Sequence, residues 1–263
     1  MLSKGEFVIL NIWDDGRAQL IERLDFYHAQ AKKRILDQFR DIESEAERYA
    51  EESYDRHGQW FNPDTDDPAS SAEAAWDDGI THYGLLEDLR KQMILSIAAG
   101  MYHEWDKQFR DWLDRELGHN FSLDKLRLDL WKQDIGTLFD MLDSWGWDLK
   151  AQGFHDTIDS CRLIVNVYKH GHGTSLNQLK ERFPQYLRSF GGSGSFGWDY
   201  VHYNQLEVGE EALTLFQEAF RNFWKYVPAR TIAGDNTPVP TWFEKALTRK
   251  PRDKEKPIAK GAL

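Results

Sequence analysis

The chain has 263 residues, with 33 basic and 44 acidic side chains and a net charge of −11 at pH 7. Hydrophobic residues make up 41% of the chain and aromatic residues 14%, which excludes an intrinsically disordered protein. The single cysteine, Cys161, excludes an internal disulfide and any metal site built from several cysteines. The negative charge excludes broad electrostatic binding to nucleic acid but is compatible with a local basic site.

The N-terminal stretch does not suit a secretory signal, because its apolar run from Phe7 to Leu10 is too short. The longest membrane-like stretch, 93–102, has about half the length of a membrane span. We therefore expect a cytoplasmic protein that does not interact with a membrane.

Residues 17–57 carry apolar side chains at three- and four-residue steps, with no Pro or Gly before Gly58. This pattern predicts one long N-terminal helix of about 60 Å. A helix of that length must pack against a partner of similar length, either as a helix of the bundle or as a dimerising arm. Because it exceeds the length of one compact bundle, we expect a homodimer or a complex with a partner protein through this helix. The acidic loop 58–72 follows, and its Asp residues lack the EF-hand spacing for calcium.

Helical periodicity returns over 73–117, where Gly79, Gly84 and Gly100 are candidate kinks. The same periodicity predicts four further helices, at 123–142 with Ser122 as its cap, 154–169, 176–188 with a bend at Pro184, and 210–226.

Two segments outside these helices are predicted to be non-helical. The Gly-rich stretch 190–198 is predicted to be a loop, and although it contains G-x-G-x-x-G, it lacks the strand before it that a dinucleotide site requires. The segment 200–208 alternates like a short strand or an extended segment.

The segment 154–173 carries the strongest chemical signal. On a helical wheel its polar residues share an arc of about 100°, and apolar residues cover the rest of the helix. The arc contains His155, Asp159, Arg162, Asn166, Lys169 and His170.

Two interpretations of this stripe are open. It could be a structural ion-pair stripe, in which Arg162 pairs with Asp159 or with a carboxylate of a neighbouring helix. It could instead line a cleft where Arg162 and Lys169 hold a phosphate and His170 transfers protons near neutral pH.

The stretch 162–171, RLIVNVYKHG, resembles the catalytic helix of the HEPN superfamily of all-helical nucleases and nucleotide-binding domains. In that family an Arg, a polar residue and a following His form the site, and they match Arg162, Asn166 and His170 here. The stretch 102–109 is similar to the aromatic- and Glu-bearing first helix of such bundles.

The resemblance implies an all-α, up-and-down bundle of four or five helices over residues 73–227, often dimeric, with an additional long N-terminal helix in this chain. The chain is then divided into three parts: the long helix and acidic loop at 1–72, the bundle at 73–227, and a basic tail at 228–263 that is predicted to be disordered.

The resemblance further implies a metal-independent endoribonuclease, of the kind found in toxin–antitoxin and antiphage defence systems, with RNA as its substrate and no cofactor. His170 would act as general acid or base, Arg162 and Lys169 would stabilise the charge on the phosphorus, and Asn166 would orient the phosphate.

Three further residues are candidate substrate contacts: His155, His172 and Trp198. A metal held by the histidines is not expected, because carboxylate or Cys ligands at standard spacing are missing. Two other functions fit the same residues, a non-catalytic helical assembly subunit and a nucleotide sensor. A stripe open to solvent favours a nuclease or sensor, whereas a sealed and fully paired stripe favours an assembly subunit.

Overall fold

The computed structural model describes residues 5–59, 61–62, 64–188 and 201–248, and there the chain is mostly helical. The helices are α1 (Asp14–Arg34), α2 (Ile42–Gly58), α3 (Pro68–Leu117), α4 (Leu123–Lys132), α5 (Ile135–Ser144), α6 (His155–His170), α7 (Thr174–Arg182), α8 (Glu210–Tyr226) and α9 (Thr241–Thr248). The predicted all-α character is confirmed apart from a small sheet of β1 (Phe7–Asn11) and β2 (Arg230–Ala233). In this part of the chain no helix has both the length and the apolar character needed to cross a membrane.

The described residues divide into two compact units, which interleave along the sequence. The sheet unit contains residues 5–17, 106–152 and 226–248, and the helical unit contains residues 18–105, 153–188 and 201–225. The predicted division of the chain at residues 72 and 227 stays a prediction.

The sheet unit is built on an antiparallel pair of strands that are distant in sequence. Phe7 is paired with Ala233 and Asn11 with Arg230, with a register irregularity between Val8 and Leu10. The α3 portion of this unit supplies Trp112, whose indole N–H donates to the carbonyl of Asn11 at 3.0 Å. The sheet is thereby joined to the aromatic core of its own unit.

The helical unit has an aromatic centre around Trp105 of α3. The Trp105 ring stacks on Phe220 with a centroid distance of 5.1 Å and meets Phe223 edge-on at 5.2 Å, and both phenylalanines belong to α8. Phe154, which immediately precedes α6, meets Phe223 edge-on at 6.1 Å. Burial of these large rings holds α3, α6 and α8 together.

The predicted long N-terminal helix is present in helical form but not as one continuous helix. It consists of α1 and α2, separated by a 3-10 turn at Leu36–Phe39. Leu36 is 3% exposed, so the turn buries an apolar side chain where a straight helix would have continued. Both helices pack against the long helix α3, as shown by Tyr27 beside Gly100 and Ala50 beside Gly79.

α3 is one helix of 50 residues, and the three candidate kink glycines lie inside it. A Cβ at Gly79 would lie 2.8 Å from the Ala50 Cβ, and a Cβ at Gly100 would collide with the Tyr27 hydroxyl. Gly84 has open space around it. Two of the three glycines therefore provide room for close helix packing, and the helix continues through all three.

The predicted helix 123–142 is two helices, because Asp134 starts a new one. Its backbone is extended, and its carboxylate accepts a hydrogen bond from the Thr137 N–H at 2.8 Å, as an N-cap does. The Arg110 guanidinium in turn donates to the carbonyls of Leu130 and Gln133 at the end of α4. Backbone groups at the end of α4 and at the start of α5 therefore have hydrogen-bond partners where the helix is interrupted.

The fifth predicted helix ends earlier than expected, since α7 stops at Arg182 before Pro184. The chain then pairs in extended form, with an antiparallel bridge between Leu187 and Leu206. The extended segment predicted for 200–208 is observed only in part, since Leu206 forms this bridge but Tyr203–Gln205 is a 3-10 turn.

The segment 228–248, assigned by sequence to a disordered tail, contains β2 and α9. Phe243 of α9 is 1% exposed and meets Phe121 edge-on at 5.1 Å, so its burial orders the segment. Residues 249–263 of the predicted tail and the whole predicted Gly-rich loop 190–198 lie outside the described residues.

Candidate catalytic face of helix α6

α6 is buried on most of its circumference, as its sequence predicts. Seven of its residues are buried: Ile158, Ser160, Cys161, Leu163, Ile164, Val165 and Val167. The helix ends at Gly171, whose φ of +69° is strained for any residue with a side chain and whose N–H donates to the Val167 carbonyl at 2.8 Å.

The four predicted catalytic residues lie on the remaining face of this helix. Arg162 and Asn166 are half-buried, whereas Lys169 and His170 are exposed in the last turn. The negative end of the helix dipole at this turn favours cations. The face therefore changes from a partly covered half near Arg162 to an open half near His170.

The covered half is an ion-pair cluster. The Arg162 guanidinium donates to the Asp159 carboxylate at 2.7 Å and contacts the Gln178 side-chain oxygen of α7 at 3.5 Å. Arg182 of α7 binds the other oxygen of Asp159 and lies 3.6 Å from Asp156. Two guanidinium groups thus share one carboxylate that is only 15% exposed, and the cluster joins α6 to α7.

Arg162 is held in one orientation by this cluster. Its Nε and one terminal nitrogen are directed at Asp159, and the second terminal nitrogen, Nη1, makes no hydrogen bond or ion pair to the described residues. A guanidinium of this kind has a remaining donor for an anion but a charge largely balanced by its partner.

The open half has a small aromatic cluster beside it. The His172 ring meets the His202 ring at 5.2 Å and the Tyr203 ring at 5.3 Å, both edge-on. Tyr203 also covers the helix end, since a Cβ at Gly171 would lie 3.5 Å from its ring. The predicted contact His172 is therefore adjacent to the end of α6 that carries His170.

His202 and Tyr203 were not singled out from the sequence. Tyr203 begins the turn Tyr203–Gln205 and His202 caps it, about 30 residues beyond α6, and no local pattern relates them to the α6 stripe. The pairing of Leu187 with Leu206 brings this turn back.

The other two predicted contacts are not part of this cluster. His155 lies at the opposite end of α6, about 22 Å from His170 by the helical rise, and its ring nitrogen contacts Asp156 at 3.2 Å. Trp198 lies outside the described residues.

Other chemistries find less support among the described residues. Cys161 is fully buried, and burial raises the pKa of its thiol far above the ordinary range, so it is not a nucleophile. In the same part of the chain, no group of three or more His, Cys, Asp or Glu is placed to hold a metal ion.

Comparisons with known proteins add no family to this description. No family model, no curated protein and no solved structure matches the chain. The resemblance to the HEPN superfamily stays a prediction from the sequence.

Proposed function

We propose that the polar face of α6, from Arg162 to its open half at His170, is the site of a metal-independent ribonuclease, and that the helical unit is a HEPN-like up-and-down bundle. One observation carries the proposal: exposed Lys169 and His170 end a helix whose same face carries Asn166 and Arg162, with the His172 and His202 imidazoles next to that helix end. Imidazoles together with cationic side chains suit the transphosphorylation of RNA near neutral pH.

The reaction needs two proton transfers. The ribose 2′-oxygen attacks the adjacent phosphorus as its proton goes to a base, and the 5′-oxygen leaves as it receives a proton from an acid. His170 takes one of these roles, and the imidazole of His172 or His202 takes the other. Lys169 and the Nη1 of Arg162, which is unpaired among the described residues, stabilise the charge on the phosphorane, and Asn166 orients the phosphate. The product ends are a 2′,3′-cyclic phosphate and a 5′-hydroxyl.

The test is cleavage of total RNA and transfer RNA by the purified full chain with EDTA present. We expect cleavage by the wild type and a loss of about 10²- to 10⁴-fold in rate for His170→Ala. Arg162→Lys should restore little activity relative to Arg162→Ala, because an ammonium cannot reproduce the guanidinium fork. His119→Ala is the matched control, since His119 is also exposed but belongs to the sheet unit.

A second function, a non-catalytic assembly subunit, is favoured by one observation, the pairing of Arg162 with Asp159. If the wild type cleaves none of the RNAs, the stripe is structural and the assembly function is preferred. If the wild type cleaves RNA and His170→Ala cleaves it equally well, the assignment of the site to α6 is wrong.

A further inference from the structure

A groove of about 580 Å³ lies along α1, within the helical unit. Its apolar centre consists of Phe26, Tyr27, Ala31 and Ile35, of which Phe26 is 66% exposed and Ile35 38% exposed. Large apolar side chains clustered on one surface, rather than scattered singly, indicate an interaction site.

The groove borders the face of α1 that packs on the helical unit and extends to the outside of the helix. Leu24 and Ala31 are buried against the helical unit. Phe26, Gln30 and Arg34 follow one another at four-residue steps and form a stripe on the outside of the helix. Phe26 is the apolar member of this stripe, and among the described residues it stays 66% exposed on the outer side of the groove.

The floor of the groove is shaped by α3. The Tyr27 hydroxyl occupies the space left by Gly100, and burial together with nearby Glu104 raises the pKa of Tyr27. Tyr27 thus occupies the notch at Gly100 and forms one side of the groove.

The rim of the groove carries both signs of charge in equal number. Glu22 and Glu104 are the acids, and Arg23 and Arg34 are the bases. The balanced rim differs from the chain as a whole, whose net charge is −11. Acidic surfaces of two copies repel each other, whereas a balanced rim does not. A neutral rim with both signs does not select a strongly basic or acidic partner, but it is complementary to itself.

We propose that the α1 groove binds a second copy of this chain, with the two α1 helices antiparallel. Glu22 and Arg34 lie twelve residues apart on α1, which is about 18 Å along the helix. An antiparallel pair with its two-fold axis near His28 brings Glu22 of each copy opposite Arg34 of the other. A parallel pair would bring like charges together, so the charge order selects the antiparallel arrangement.

The core of this interface is small. Each copy contributes Phe26, Tyr27 and Ile35 as large apolar groups. We therefore expect a dissociation constant in the micromolar range.

The test is a charge swap in the full chain, followed by sedimentation equilibrium over a range of concentrations. Glu22→Arg places two arginines opposite each other, and Arg34→Glu places two glutamates opposite each other. Each single variant should weaken the dimer by roughly tenfold or more. The double variant Glu22→Arg/Arg34→Glu restores opposite charges and should recover the wild-type dissociation constant.

The control pair is Glu51→Arg and Arg48→Glu, which changes exposed charges of the same kinds on α2. The controls are needed because Glu22→Arg lowers the net negative charge and Arg34→Glu raises it, so a general charge effect would move the two in opposite directions. A monomeric wild type up to submillimolar concentration overturns the proposed dimer. A dimer insensitive to the single swaps, or not restored in the double variant, also overturns it.

Discussion

Helices α6 and α1 present opposite departures from an ordinary amphipathic helix. α6 is surrounded by apolar packing and carries a narrow polar face, where Arg162 is held by Asp159. α1 lies on the surface of the helical unit and carries apolar groups on its exposed face, where Phe26 is in contact with water.

In each helix, the residues whose polarity differs from that of their surroundings indicate the function. Polar groups on a largely buried helix persist when they are paired or when a ligand uses them, and a clustered exposed apolar face persists when something covers it. We accordingly connect α6 with chemistry and α1 with assembly. The predictions below test this division.

The largest expected effect on stability contrasts two apolar truncations. Leu163→Ala in α6 removes a side chain that is 0% exposed and should lower the free energy of unfolding by about 2–5 kcal/mol. Phe26→Ala in α1 removes a larger side chain but should change the stability of the monomer by no more than about 0.5 kcal/mol. Urea unfolding of both variants at a concentration below dimerisation checks this. Equal losses would mean that the α1 face is part of the core.

A second contrast lies within the α6 ion-pair cluster. Asp159→Asn leaves Arg162 and Arg182 side by side without the carboxylate that they share, and should cost about 1–3 kcal/mol of unfolding free energy. Asp156→Asn is the matched control at 74% exposure and should cost at most about 0.5–1 kcal/mol. Thermal unfolding of the two variants distinguishes them. If they were equal, Asp159 would not be the residue that anchors Arg162.

A third contrast tests the packing of α1 on α3. Gly100→Ala places a methyl group where the Tyr27 hydroxyl lies, so Tyr27 must leave its notch, and we expect a net loss of about 1–2 kcal/mol. Gly84→Ala occurs in the same helix with nothing within 4 Å of the new Cβ and should stabilise the chain by about 0.5–1 kcal/mol. If both variants were more stable than the wild type in urea unfolding, the packing of Tyr27 would not depend on the space at Gly100.

The smallest expected effect is a pH dependence from His28 on α1. Burial lowers the pKa of His28 below its ordinary value of 6.5, nearby Lys32 lowers it further, and Asp25 acts in the opposite direction. The unfolded chain therefore takes up this proton more readily than the folded chain. The contribution of neutral His28 to the free energy of unfolding is present above pH 6.5 and is lost as the pH falls below it.

His28→Gln should make this part of the stability profile flatter, as measured by urea unfolding between about pH 5 and 8. The same variant should leave stability above pH 7 nearly unchanged. An unaltered dependence of the unfolding free energy on pH would show that other histidines cause the loss of stability at acidic pH.

The parts of the fold that follow a single local period were predictable. The predicted helix 154–169 is observed as His155–His170, and the predicted helix 210–226 as Glu210–Tyr226. Both have apolar spacing that continues to a breaker, Gly171 in one case and Pro228 in the other. The polar face of α6 followed from the same spacing.

Breaks without a Gly or Pro signal were not predictable in the same way. The apolar spacing continues through the turn Leu36–Phe39, so it indicated one helix where there are two. Asp134 did offer a signal, since an Asp three residues before a Thr is a plausible N-cap, but an equally apolar helical stripe ran across it.

What the sequence by itself determined is the helical class, the position of α6 and the order of its polar groups, because these depend on periodicity over neighbouring residues. The tertiary structure alone decided the rest. It paired Phe7 with Ala233 across more than 200 residues, brought Arg182 to Asp159, and placed the His202 ring beside that of His172. Such contacts depend on which apolar faces cover one another, and that choice is made by the packing of the whole chain and leaves no local pattern.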